Sequence, residues 1–263
     1  MKITLPDNSL RELPEGSSGY DLAKDIGPGL AKSAVAVTIN GIQKDLHDVI
    51  EGDVSASIIT IDSDEGIEIM RHTLTAQVLA RAVKNIYPNS KLAIGPTIED
   101  GFYYDVETEE AISIDDLKKI EDEMIKIVKT KSSITKKLVS KEEALKIFKS
   151  QKETYKENII NESEQISDFQ LYYQDDKKFV DLCRGPHLPN LSFVGAFKLT
   201  KVSGAYWKGD SKNKMLTRIY GTAWTNEKEL NKYLTTLDEA QKRDHRKLGK
   251  EMNLFHFQDE APG

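Results

Sequence analysis

Apolar and polar positions alternate at Ile3 and Leu5, break at Asp7-Asn8 and resume at Leu10 and Leu13, which predicts two short strands joined by a turn. Residues 20–26 predict a short helix, stopped by Gly27-Pro28-Gly29. Residues 34–39 read as a strand, Asn40-Gly41 as a hairpin signal and residues 55–61 as a closing strand. A polar linker, residues 62–66, follows. Beyond it helix and strand signals mix. Val78, Leu79, Ala82, Val83 and Ile86 form a helical stripe behind Arg71-His72, and residues 92–94 and 102–106 read as strands around a Gly-Pro turn. Ser113 and Ser140 open two more helices, the second with a Ser140-x-x-Glu143 capping box, and the first carries Leu117, Ile120, Met124 and Ile127 on one face. Short strands are predicted near 170–174, 178–182, 197–202, 205–208 and 215–220. From Asn226 a long helix carries Leu230, Tyr233, Leu234 and Leu237, then the basic run 241–247. The pattern gives an α+β fold: residues 1–62 as one small unit, 66–224 as a second, and 226–263 as a helix.

Composition narrows the function classes. The 263 residues are 30% charged and 38% hydrophobic, with no apolar run near the ~20 residues that span a bilayer. The N-terminus lacks the apolar region of a signal peptide. The single cysteine excludes an internal disulfide and suits a cytoplasmic location. A net charge of −6 opposes a generally basic nucleic-acid coat, yet leaves room for a local basic face. The 241–247 run fits contact with a phosphate backbone, and equally the dipole preference for bases at a helix C-terminus.

Chemistry concentrates in Asp181-Leu182-Cys183-Arg184-Gly185-Pro186-His187. Gly185-Pro186 disfavours a helix, so a strand ending in a tight loop would aim Cys183 and His187 at one point. A lone cysteine is more often a small buried hydrophobe. His72 and Gln77 near a helix start could complete a cluster of three or four groups, or His72 could be an ordinary helix-start residue. Spacing leaves both readings open.

These stretches, with Ile94 to Asp105 and Gly204 to Trp224, resemble the editing domain of bacterial threonyl-tRNA synthetase. Residues 1–62 resemble its ubiquitin-like β-grasp module, called TGS. The resemblance runs in order along essentially the whole chain. It implies a TGS domain, then a threonyl/alanyl-tRNA synthetase-type editing domain, then a linker helix toward an aminoacylation core absent here, together with that core's ATP, Mg and zinc sites. It implies removal of serine misattached to threonine tRNA, because a pocket made for threonine rejects the smaller serine by only ~1–3 kcal/mol.

Ester hydrolysis needs a group that orients or deprotonates water, donors for the oxyanion and an anchor for the substrate ammonium. The resemblance implies His72, Lys156, Cys183 and His187 as catalytic, with Asp181 as the ammonium anchor, Tyr104 lining the pocket and Gly95 allowing close approach. Taken alone, Lys156 reads better as a surface lysine, and Asp181 could simply cap the loop. No cofactor is implied for editing. Zinc at His72, Cys183 and His187 is allowed by ligand type but not favoured. Cys183 as a nucleophile ranks below water attack. One departure stands out: the family has His-x-x-x-His on the helix, whereas Ala76 lies four and Gln77 five residues after His72, so Gln77 is placed as the second histidine's substitute after a one-residue insertion.

The expected partners are tRNA(Thr) and Ser-tRNA(Thr), with no membrane; the full-length enzyme is expected as a homodimer and the fragment as a monomer. The competing readings are a tRNA-binding module with an inactivated pocket, a free-standing deacylase acting in trans, and a metal-dependent hydrolase unrelated to tRNA.

Overall fold

The computed structural model describes residues 1–174 and 179–242. Strands β1 (Lys2–Thr4) and β2 (Leu10–Glu12) form the first hairpin. Helix α1 (Gly19–Ile26) starts at Ser18, whose hydroxyl accepts from the amide of Asp21 while the Asp21 carboxylate returns to the Ser18 amide. A second short helix, α2 (Pro28–Ser33), follows directly with proline in its first turn, so Gly27-Pro28-Gly29 restarts a helix as well as ending one. Strands β3 (Ala34–Ile39) and β4 (Ile42–Asp45) flank the Asn40-Gly41 turn, and β5 (Val54–Thr60) completes a sheet of order β2-β1-β5-β3-β4. β1 and β5 run parallel and the other neighbours antiparallel, the mixed β-grasp order. Leu22 of α1 packs with Ile3, Val37, Ile39 and Ile50.

Residues 62–66 are not a free linker. Helix α3 (Asp64–Thr73) begins inside them, because the Ser63 hydroxyl accepts from the amide of Gly66. A π-helical turn over Leu74–Leu79 follows, then α4 (Ala80–Ile86). Strands β6 (Lys91–Leu92), β7 (Thr97–Ile98) and β8 (Gly101–Glu107) lead to α5 (Leu117–Lys129), whose predicted face is buried. Strand β9 (Ile134–Val139), α6 (Lys141–Ser150) and α7 (Thr154–Glu162) come next. Neither β9 nor α7 is marked in the sequence: β9 sets Thr135, Lys136 and Lys137 between its buried ends Ile134 and Val139, and α7 has a weak apolar stripe. Ser140 caps α6 through the Glu143 amide, but the Glu143 carboxylate pairs with Lys137 at 2.7 Å, so the expected capping box is half made.

Strands β10 (Phe169–Gln174) and β11 (Phe179–Leu182) join β9 in an antiparallel sheet of order β11-β10-β9. β12 (Ala196–Tyr206) is one long strand with a bulge between Leu199 and Lys201, in place of two predicted strands. It pairs β13 (Met215–Trp224), which continues through β8 to β6. Helix α8 (Glu227–Lys242) ends the described chain, and most of the basic 241–247 run and everything after it lie outside the described residues.

The main core spans both units. Val35, Ala36 and Ile59 of the first sheet meet Ile69, Met70 and Leu74, which continue through Phe102, Tyr104 and Ile219 to Ile120 and Met124 of α5. Two substitutions on α5 separate its faces. Ile120→Ala, at a fully buried position, should lower stability by about 2–5 kcal/mol in urea unfolding, and Ile125→Ala, on the exposed face, by less than about 0.5 kcal/mol.

Candidate functional site

His72 sits in the last turn of α3, and the loop that follows β11 carries Cys183, Gly185 and His187. Gly185 has φ +66° and precedes a cis bond to Pro186; a Cβ there would lie 1.9 Å from the Tyr172 hydroxyl, so both backbone and space demand glycine. The two segments converge. His72 Nε2 lies 2.9 Å from Cys183 Sγ, and the His72 and His187 rings stack with centroids 4.5 Å apart.

Hydrogen bonding fixes both tautomers. The Pro186 carbonyl can only accept, so His72 Nδ1, 3.2 Å away, carries the proton and Nε2 presents its lone pair to the Cys183 thiol. The Thr73 hydroxyl donates to the Ile69 carbonyl at 2.8 Å; its oxygen therefore accepts from the Leu188 amide at 3.0 Å and from His187 Nδ1 at 3.2 Å. His187 Nε2 is left as a buried lone pair without a hydrogen-bond partner among the described residues. Burial holds both imidazoles below the ordinary histidine value of 6.5, so both are neutral bases at pH 7.

Lys156, in the first turn of α7, is no surface residue. Its side chain is 4% exposed and its ammonium pairs with Asp181 at 2.7 Å. Asp181 on β11 also accepts from the Leu182 amide at 2.8 Å and from the Tyr104 hydroxyl at 3.2 Å. Burial pushes the Asp181 carboxyl up, and Lys156 opposes that rise. Burial also drives the Tyr104 phenol well above its ordinary range, so it stays a donor. The carboxylate expected to anchor a substrate ammonium thus already holds an ammonium of the protein.

His72, Ala76, Gly95, Tyr104, Lys156, Asp181 and Cys183 line one cleft of about 640 Å³. His187 is 2% exposed and set back from it. Gly95 is where close approach is needed: a Cβ would lie 2.2 Å from the Tyr104 ring and 2.7 Å from Thr75 Oγ1. Gln77 does not line the cleft. It is fully buried, with its backbone carbonyl accepting from Gln174 at 2.7 Å and its side-chain oxygen 3.2 Å from the same amide, and Ala76 faces the cleft instead. The one-residue insertion inferred before Gln77 coincides with the wide π-helical turn, which absorbs an extra residue without breaking the helix. Sequence reasoning missed Thr73 and Tyr172. Thr73 orients His187, and Tyr172 stands edge-on to the same ring at 4.4 Å. Adjacency to His72 was the one available signal for Thr73.

The donor atoms of His72, Cys183 and His187 lie within 4.8 Å of one another, and the types suit zinc. A second concavity, of about 520 Å³, carries Asp64, Glu68, Glu99 and Asp100 around Arg71 and Trp224. Four carboxylates make it a poor seat for a polyanion, and it holds no cysteine or histidine.

Comparison with known families bears on what the cleft belongs to. The model of the TGS domain matches residues 1–60, and that of the threonyl and alanyl tRNA synthetase second additional domain matches residues 170–220. Together and in this order, these domains fit the N-terminal region of threonyl-tRNA synthetase. The second match contains Asp181, Cys183 and His187, while His72, Gly95, Tyr104 and Lys156 lie outside both. The two domains tie the chain to protein biosynthesis, with tRNA as the kind of partner and editing as the context. Among the described residues no helix is long and apolar enough to cross a membrane.

Two outcomes test the geometry. Gly95→Ala should displace Tyr104 and lower stability by about 1–3 kcal/mol in urea unfolding. The depressed histidine values make the unfolded chain bind more protons as pH drops below 6.5, so stability is full above that pH and falls beneath it. The melting temperature should therefore fall between pH 6.5 and 5.5, and His187→Gln should flatten that slope, as read by thermal melts across the range.

Proposed function

We propose that the cleft hydrolyses serine from mischarged Ser-tRNA(Thr) by water attack on the aminoacyl ester. The observation that carries this reading is the convergence of a neutral His72, the buried Lys156 and Cys183, the last within the matched second additional domain, on one cleft. Water oriented at His72 and Cys183 adds to the ester carbonyl, displacing the thiol hydrogen bond so that its proton passes to the His72 lone pair. Lys156, whose ammonium has protons beyond the one held by Asp181, is the proposed donor to the developing charge. The tetrahedral adduct then collapses, the acyl carbon–oxygen bond breaks, and the ribose oxygen leaves with the proton returned from His72. Serine and free tRNA result.

Selectivity for serine over threonine is part of the proposal, with Tyr104 and Gly95 in the cleft wall. The reaction is proposed to need no metal, because proton transfer from water to His72 requires none. Binding of tRNA(Thr), a cytoplasmic location, a monomeric fragment and a dimeric full-length enzyme complete the proposal. ATP-dependent aminoacylation is assigned to a core outside this sequence.

Deacylation of Ser-tRNA(Thr) beside Thr-tRNA(Thr) tests the reading. The wild-type chain should release serine selectively, the Cys183→Ala, His187→Ala double variant should lose about 100-fold or more, and dialysis against EDTA should change nothing. Retained tRNA binding without release would instead favour a binding module, the reading that Ala76 at the cleft motivates. Loss on chelation would overturn the metal-free scheme.

A further inference from the structure

Asp45 closes β4 in the N-terminal domain, yet two of its three side-chain partners, His187 and Tyr172, stand directly behind the cleft. Its Oδ1 accepts from the backbone N–H of His187 at 2.8 Å, across 142 positions of sequence. Its Oδ2 accepts from the Tyr172 hydroxyl at 2.7 Å and pairs with Lys136 at 2.8 Å. Tyr172 in turn packs edge-on against the His187 ring, and its hydroxyl stands against Gly185. The Asp45 side chain is 15% exposed, so these contacts form largely out of water.

We infer that Asp45 is a positioning residue for the cleft: the TGS domain holds the Cys183–His187 loop from behind and thereby completes the site. The inference rests on the hydrolytic reading above. Simple adhesion between the domains would be served by Lys136, which pairs with both Asp45 and Asp48. It would not require a carboxylate oxygen on the amide of His187. That contact fixes the backbone from which the imidazole springs, while Tyr172 fixes the ring, so one carboxylate sets both the height and the tilt of His187.

The test uses the full chain. Asp45→Ala should lower kcat on Ser-tRNA(Thr) about tenfold or more with KM within about twofold, the range expected when a group orienting a site residue is removed. Lys136→Met removes the ion pair and leaves the contacts to His187 and Tyr172, and should stay within about threefold of wild type in kcat. Equal losses in the two variants, or a wild-type kcat in Asp45→Ala, would overturn the inference. Where circular dichroism shows Asp45→Ala unfolded, Tyr172→Phe decides, since it deletes only the hydroxyl Asp45 holds; an unchanged kcat there is equally fatal. Alkylation of Cys183 by iodoacetamide gives a reading independent of hydrolysis, and should change about threefold or more in Asp45→Ala but not in Lys136→Met. If wild type releases no serine while this alkylation difference persists, the proposed reaction fails and the positioning role stands. If alkylation is the same in all, the positioning role fails whatever the reaction.

Discussion

The buried pair between Lys156 and Asp181 is the constraint on which the cleft depends. Both charges are almost wholly removed from water, at 4% and 2% side-chain exposure, and such a pair survives only when its remaining hydrogen-bonding capacity is met. Asp181 meets it with the Leu182 amide and the Tyr104 hydroxyl. Deleting either partner strands the other, a loss on the order of 3–5 kcal/mol. The pair therefore pins α7 to β11 and to β8, three elements far apart in the chain. It also fixes the start of the loop that carries Cys183.

Around that fixed point, protonation follows from geometry. Each imidazole gives its Nδ1 proton to a neighbour that can only accept it: the Pro186 carbonyl for His72, and a Thr73 hydroxyl already committed to Ile69 for His187. Burial keeps the second proton off. The site thus stores two basic lone pairs beside a thiol, with an ammonium across the cleft. The cleft has His72 and Cys183 on its wall together with the Lys156 ammonium, while His187 stands behind.

Much of this was legible in the sequence, for identifiable reasons. Cys183 and His187 share one short loop, so proximity along the chain carried into space, whereas His72, read as lying near a helix start, sits in the last turn of α3, whose start at Ser63 was hidden in the polar stretch. Lys156 was harder, because α7 has almost no apolar stripe and nothing local marks its lysine as buried. Asp181 lines the cleft, but its partner sits on another element, and so its carboxylate was read as open to substrate. The linker at 62–66 was misjudged because Ser63 looks like any polar linker residue until the helix it caps is seen. Glu143 turned to Lys137 through a strand, β9, that the pattern did not show. Gln77 failed for a geometric reason: side-chain direction across a π-helical turn cannot be counted off at 3.6 residues per turn.

That same turn separates two angular references within one continuous rod. In a regular helix each added residue rotates everything downstream by about 100°. Here α3 must present His72 to the cleft, while α4 must keep Ala82 and Val83 against the interior at full burial. A rigid rod could not accept one more residue and serve both. The loosened turn confines the slip to residues 74–79, so the helix acts as a shaft with a coupling in it, its two ends clocked independently.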